Sequence, residues 1–408
     1  MKIVIGLIVS IVMFIGGSIA IERVLVSNVP FTDMLPVHSG CSAFYEGLNP
    51  YDENVTSRIQ ATIQTYWTDY DPTDPRFDEH RFAYPAHTCL VLSPIFLIPY
   101  DIAVSPWIMF NLLLFMLLPI VFQRYIAHIH RTPVWQVIFI VTISLFFWRY
   151  SMVTLVLAQY VGWILLCLTG AIWALATQRN YWLALFLAGL TIRTGGAFFV
   201  IVILLYVLYE RRYRVLAMLI GTMLALWVGT ITIINDIWIF DFLNRLTEYT
   251  TYREDAAEWI PFRLGVPLGS MIAIFVAGAG FYILQNVWQE NRQTRIVWSF
   301  AVIPLFVLLY LPQTNSYTLV YALTAVWVIG YALRAKPIGY AVLMLVIALM
   351  PWLWQLWLLD ILGEGIDQVL VPALMMGLLL VAWQIGDVRL KEPLPENRAD
   401  DATSLSAD

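Results

Sequence analysis

The carboxylates of this chain gather in two polar stretches. Asp33, Glu46, Asp52, Glu53, Asp69, Asp71, Asp74, Asp78 and Glu79 lie between Arg23 and Pro106; Asp236, Asp241, Glu248, Glu254, Asp255 and Glu258 lie between Asn235 and Pro267. Such groups can move protons, hold hard cations or simply be hydrated. A calcium loop needs spaced oxygen ligands, a Gly turn and a closing Glu. Between Asp69 and Asp78 stand Pro72 and Pro75 and no Gly, so a solvated acidic loop is expected. His38, His80, His87, His128 and His130 lack zinc-ligand spacing, and no metal is expected. No phosphate-cradling Gly loop or dinucleotide fingerprint occurs, and no cofactor is expected. Cys41 and Cys89 fall in the first stretch, Cys167 in an apolar run. Unpaired thiols are the plain expectation for the first two, a disulfide in an oxidising compartment the alternative. Asn54-Val55-Thr56 matches the glycosylation acceptor pattern.

The elements that must position these groups are apolar. Of 408 residues, 60% are hydrophobic and 12% charged, and the mean hydropathy is +0.75. Soluble domains run nearer 45–50% apolar and about 25% charged. A soluble enzyme, a disordered chain and a nucleic-acid binder are thereby excluded. The 17 Trp and 21 Tyr suit many membrane–water boundaries. Runs long enough to approach about 20 residues lie near 3–21, 104–123, 134–150, 155–176, 180–193, 196–209, 214–234, 266–284, 296–312, 317–333, 338–358 and 369–386. They predict an all-α polytopic membrane protein of about twelve helices. The first run outlasts a signal-peptide core and reads as an uncleaved helix.

With the N-terminus inside, Lys2, Arg124, Arg131, Arg179, Arg211, Arg212, Arg214, Arg292, Arg295, Arg334, Lys336, Arg389, Lys391 and Arg398 fall on inner connectors. The outer set is smaller, although its connectors are longer. Positive charge inside sets orientation, so both termini are expected in the cytoplasm of a multi-pass cell-membrane protein. Counting residues 88–101 as a span would reverse the later connectors. That segment, interrupted by Pro94 and Pro99, is therefore read as interfacial or re-entrant. The organisation is a membrane domain over 1–386, with outer loops 23–106 and 235–267, and a disordered cytoplasmic tail over 387–408. No internal repeat is visible, and Arg149, Arg193 and Asp360 lie at helix ends rather than mid-span. A transporter or flippase for a lipid-linked or amphiphilic substrate, the alternative, would ordinarily carry ionisable groups through its spans. A non-catalytic scaffold is a third reading.

The first outer loop reads Phe31-Thr32-Asp33, then Glu46-Gly47-Leu48-Asn49-Pro50-Tyr51, then Phe82-Ala83-Tyr84-Pro85-Ala86. This resembles glycosyltransferase family 87, polytopic enzymes of the GT-C superfamily that include polyprenol-phosphate-mannose-dependent mannosyltransferases. That family has an Asp after the first helix, a Gly-x-x-Pro-Tyr turn and a Tyr-Pro-Pro. Ala158-Gln159 stands where it has Gly-Gln, and Arg193 where it has Lys. Ala86 replaces the second Pro. The resemblance spans roughly residues 1–215.

The resemblance implies a GT-C-like bundle whose active site faces outward. It implies an inverting transfer of a hexosyl unit, mannosyl in the first instance, from a polyprenyl-phosphate sugar to a lipid or glycan acceptor. Asp33 would be the general base for the acceptor hydroxyl. Arg193 would meet the leaving phosphate, since a guanidinium forks onto phosphate better than an ammonium. Gln159 and Tyr84 would line the donor site. The alternatives are a helix cap or hydrated loop acid for Asp33, and interfacial anchoring for Arg193, Gln159 and Tyr84.

Overall fold

A computed structural model of the protein describes residues 14–23, 32–72, 80–127, 133–252, 265–310, 316–357 and 366–387. The readings placed on Lys2, Asp74, Asp78, His128, His130, Asp360 and the tail beyond Asp387 lie outside these residues. Every described element is helical. Helix α1 covers 14–23. In the first long loop α2 is Met34–Tyr45, α3 Glu53–Tyr66, α4 His87–Val91 and α5 Ser93–Phe96. Next come α6 (Tyr100–Val121), α7 (Val134–Thr142), α8 (Arg149–Val156), α9 (Val161–Ala176), α10 (Asn180–Leu190), α11 (Thr194–Tyr209) and α12 (Tyr213–Ile234). In the second long loop lies α13 (Ile239–Tyr252). It is followed by α14 (Val266–Val287), α15 (Arg292–Tyr310), a 3₁₀ segment (Ser316–Ala322), α16 (Leu323–Ala332), α17 (Pro337–Trp357) and α18 (Asp367–Ile385).

Among the described residues, six helices are long and apolar enough to cross a membrane, or seven if one bent pair forms a single span. That pair, Val134–Phe147 and Arg149–Val156, bends by 54° at the buried Trp148, whose indole N–H donates to the Leu319 carbonyl at 3.3 Å. Four apolar helices are shorter: Val161–Ala176, Asn180–Leu190, Thr194–Tyr209 and Tyr317–Ala332. At 1.5 Å per residue α10 reaches only roughly 16 Å, about half a bilayer core. Irregular helix ends are tolerated where protein rather than lipid surrounds them, as for α9, which buries eleven of its residues, including Leu165, Leu168 and Ile172; α10 and α11 each keep an exposed apolar side, with Tyr181 and Leu205 uncovered. The apolar run expected over 155–176 therefore divides, with α8 ending at Val156 and α9 starting at Val161. Residues 88–101 form two short turns and the start of α6 rather than a span.

Polar contacts tie the connectors into two groups. At one end Arg292 Nε and Nη2 grip Glu210 at 2.7 and 2.9 Å, while Nη1 and Nη2 reach the last carbonyls of α9, Ala176 and Leu175. Arg212 Nε donates to Asn180 Oδ1 at 3.0 Å, and Arg334 pairs with Asp387. Those are the connectors that the Lys and Arg pattern assigns to one side. The long loops and the remaining connectors meet at the other end, called here the loop end.

Candidate active site

At the loop end each chemically able side chain stands at a break between helices. Asp33 occupies the position before α2, where a carboxylate would ordinarily cap the helix N–H groups. It makes no such bond; its Oδ2 instead accepts a hydrogen bond from Gln159 Nε2. The capping alternative is thereby overturned.

Gln159 is presented by the way α8 ends. Ala158 adopts the left-handed conformation, φ +49°. Its N–H donates to Leu155 O at 3.1 Å, and the Gln159 N–H donates to Thr154 O at 2.9 Å. This Schellman geometry satisfies the last carbonyls of the helix and turns the Gln159 side chain into the protein, where the residue is 1% exposed. Trp107 Nε1 secures the turn by donating to Ala158 O at 3.0 Å.

Arg193, half-buried and extended between α10 and α11, approaches from the opposite side. Its Nη1 donates to Gln159 Oε1 at 3.4 Å, a long contact. Nη2 donates to Tyr317 Oη at 2.9 Å, and the guanidinium carbon lies 4.9 Å from the Tyr317 ring centroid. The amide of Gln159 is thus oriented from both ends, N–H toward a carboxylate and C=O toward a cation. A flipped amide would set donor against donor. Arg193 faces into this group and is no mere boundary anchor. Tyr84 joins at the side: its ring lies 5.8 Å from that of Tyr160 and 6.2 Å from Phe82.

The loop motifs have physical roles in this assembly. Gly47, at φ +83°, closes α2 in the same manner as Ala158 closes α8, with Leu48 N–H donating to Ala43 O at 3.0 Å. The chain can then bring Tyr51 back, whose hydroxyl donates to the Tyr84 carbonyl at 2.6 Å. Gly40 lets Phe82 lie on α2: a Cβ there would come within 2.4 Å of the ring.

Cys41 and Cys89 form a disulfide, with Cα atoms 5.2 Å apart, and the expectation of unpaired thiols is corrected. Packing of the loop helices brings the pair into bridging range, which spacing in the chain does not reveal. The bridge joins α2, the helix behind Asp33, to α4. Helix α4 is clasped to the residues before Arg193: His87 Nε2 lies 3.0 Å from Thr191 Oγ1, and Thr88 Oγ1 donates to Ile192 O at 2.9 Å. The Thr191 hydroxyl gives its own proton to Ala188 O at 2.6 Å, so His87 Nε2 is the donor. Burial lowers the His87 pKa to about 4 and keeps the ring neutral. His38 is lowered by burial too, while donating to the Ile98 carbonyl at 2.8 Å.

Tyr317, Tyr160 and Thr32 escaped sequence reasoning. Tyr317 follows Gln313-Thr314-Asn315-Ser316, a polar break between apolar runs in a connector on Arg193's side, and that was its only signal. Thr32 Oγ1 and Tyr100 Oη share a hydrogen bond of 2.8 Å beside Asp33. The ion pair of Arg149 with Asp367 at 3.4 Å also went unseen. Among the described residues no group of His, Cys, Asp and Glu is placed to share a metal ion. Compared with models of protein families, with curated proteins and with solved structures, the chain matches none.

Proposed function

We propose that the protein is an inverting glycosyltransferase that takes a hexosyl unit, mannosyl in the first instance, from a polyprenyl-phosphate sugar at the outer membrane face. A lipid or glycan hydroxyl is the acceptor. The short helices α9–α11 and the 317–332 segment then serve as shortened spans in a bundle of about twelve, with both termini cytoplasmic. The observation that carries the reading is the chain Asp33–Gln159–Arg193–Tyr317, which holds a carboxylate and a guanidinium on opposite ends of one buried amide.

The chemistry needs both. The acceptor oxygen attacks the anomeric carbon while the bond to the phosphate oxygen breaks, and configuration inverts. Asp33 takes the hydroxyl proton, a contribution of typically about 10²–10⁴-fold. Polyprenyl phosphate leaves with its charge facing Arg193, in a setting where fixed donors count for more than in water. Gln159 keeps the two charged groups from collapsing into an unproductive salt bridge, and the half-buried Tyr84, backed by the buried Tyr160, offers aromatic surface to a sugar ring.

The test is transfer by purified, reconstituted protein from polyprenyl-phosphate-mannose, with the glucose and arabinose analogues as a donor panel, to lipid and glycan acceptors. Wild type transfers, and Asp33→Asn loses at least two orders of magnitude in kcat with donor binding retained. Equal rates would remove Asp33 as base. Absence of transfer from every donor, with movement of a lipid-linked substrate across vesicles, would favour the flippase.

A further inference from the structure

Helix α13 turns a charged stripe toward the protein, with Phe242 beside it against Tyr51 and Trp238. Asn49 Nδ2 donates to Asp241 Oδ2 and to Asp236 Oδ2 just before the helix, both at 2.8 Å. Arg245 donates to the Tyr51 carbonyl at 2.8 Å and to Glu53 at 2.7 Å, and it pairs within the helix with Glu248 at 2.8 Å. Arg81 lies 3.5 Å from Glu248. Asp241, Arg245 and Glu248 recur at helical spacing, so one stripe of α13 runs along the first loop. That packing has electrostatic weight: the hydrogen bond from Arg245 holds Glu53 below the usual carboxylate range, whereas burial, with Asp241 and Asp236 beside it, raises Asp52.

Other apolar residues, all in or just before its first turns, point away. Ile239 is 39% exposed, Phe240 67% and Leu243 50%, and Ile237, just upstream, is 53% exposed. A helix lying in water would turn such large apolar side chains toward the protein. The exposed stripe also continues an apolar surface. Helix α12, mostly uncovered along its apolar length, leaves Leu224, Trp227 and Val228 exposed and ends at the left-handed Asn235, φ +52°, four residues before α13 begins. Leu97 and Ile102, also at the loop end, are more than 60% exposed.

We infer that α13 lies in the membrane interface, with Ile239, Phe240 and Leu243 buried among lipid chains at the boundary while its charged face clamps the first loop. Its occupant is the bilayer, since the stripe runs on from a lipid-facing span and carries no charge of its own. An interfacial helix sinks its apolar side about 5–10 Å below the headgroups. The bilayer surface thereby fixes the height of α13. Through Asn49, Tyr51 and Glu53 it also fixes the loop whose other end carries Asp33. The inference is independent of whether the site transfers a sugar.

The experiment places single spin labels on the full chain in a Cys167→Ser background, at Ile239→Cys, Phe240→Cys and Leu243→Cys, with Ser57→Cys on the exposed side of α3 as a water-facing reference. Each variant is reconstituted into vesicles of phosphatidylcholine and phosphatidylglycerol and exposed to oxygen or a water-soluble nickel chelate. The ratio of oxygen to nickel accessibility is expected to be several-fold higher at the three α13 positions than at Ser57. Nickel-dominated relaxation at all three overturns the inference. So does protection from both reagents, which would mean that another protein surface covers the stripe. Single-particle size on gel filtration, compared with wild type, identifies any variant that fails to fold, and Thr247→Cys, exposed on the same helix, replaces it.

Discussion

Asp33, Gln159 and Arg193 illustrate what a local sequence pattern can carry. Each stands beside a helix break, and each acquires meaning from a partner more than thirty residues away. Ala158 is the most exacting case, because a left-handed backbone costs an L-residue with a Cβ roughly 1–2 kcal/mol. Ala158→Gly removes that cost but loosens the unfolded chain. The expected net effect is a gain of up to about 1 kcal/mol, read as a rise in the thermal midpoint in detergent, with the Gln159 contacts unchanged. A fall would mean that the Ala158 methyl, fully buried, contributes more through packing than its backbone costs.

At the scale of elements, a disulfide and two hydrogen bonds hold the site's two halves together. Breaking the Cys41–Cys89 bridge, which spans 48 residues, with reductant or Cys89→Ser should cost about 2–4 kcal/mol. It should lower the thermal midpoint and leave wild type, but not Cys89→Ser, sensitive to reductant. The α4 clasp adds a pH dependence. His87 stays neutral in the folded protein down to about 4, against an ordinary 6.5. Between those values the unfolded chain binds a proton that the folded chain does not. Stability is therefore complete above about pH 6.5 and declines as pH falls toward 4, by on the order of 3 kcal/mol in all. His87→Gln should flatten this part of a stability–pH curve measured by thermal unfolding; an unchanged slope would assign it to the carboxylates. These elements were partly legible. The run of Gly47 to Tyr51 announced a turn, and the short, proline-broken 88–101 segment announced something other than a span. The division at 157–160 was hidden, since Leu155, Val156 and Leu157 are as apolar as any span and the Trp107 N–H that secures the turn at Ala158 comes from another helix.

For the whole molecule, the two groups of connectors follow the charge pattern. The end built from Arg292, Glu210, Arg212 and Arg334 is expected to face the cytoplasm, as the excess of Arg there implies. A fluorescent reporter that matures only in the cytoplasm, fused after Asp408, should light up, whereas an export-dependent phosphatase at the same place should be inactive. The reverse result would invert the protein and bring the Asp33 site to the cytoplasmic face.

Membrane character, the approximate positions of the apolar helices and their sorting into two sets of connectors were determined by sequence alone. Hydropathy and charge act over a few neighbouring residues and need no partner. Asp33, Tyr84, Gln159 and Arg193 could also be named in advance, but their connection could not. The bridge of Cys41 to Cys89, the amide held between Asp33 and Arg193, and Tyr317 beneath that guanidinium join segments distant in the chain. So does the outward turn of apolar residues on α13, which depends on where Asn49 and Glu53 wait for its charges. Tertiary structure alone decided these, because hydrogen-bond geometry and packing are set by distances in space that separation along the chain does not encode.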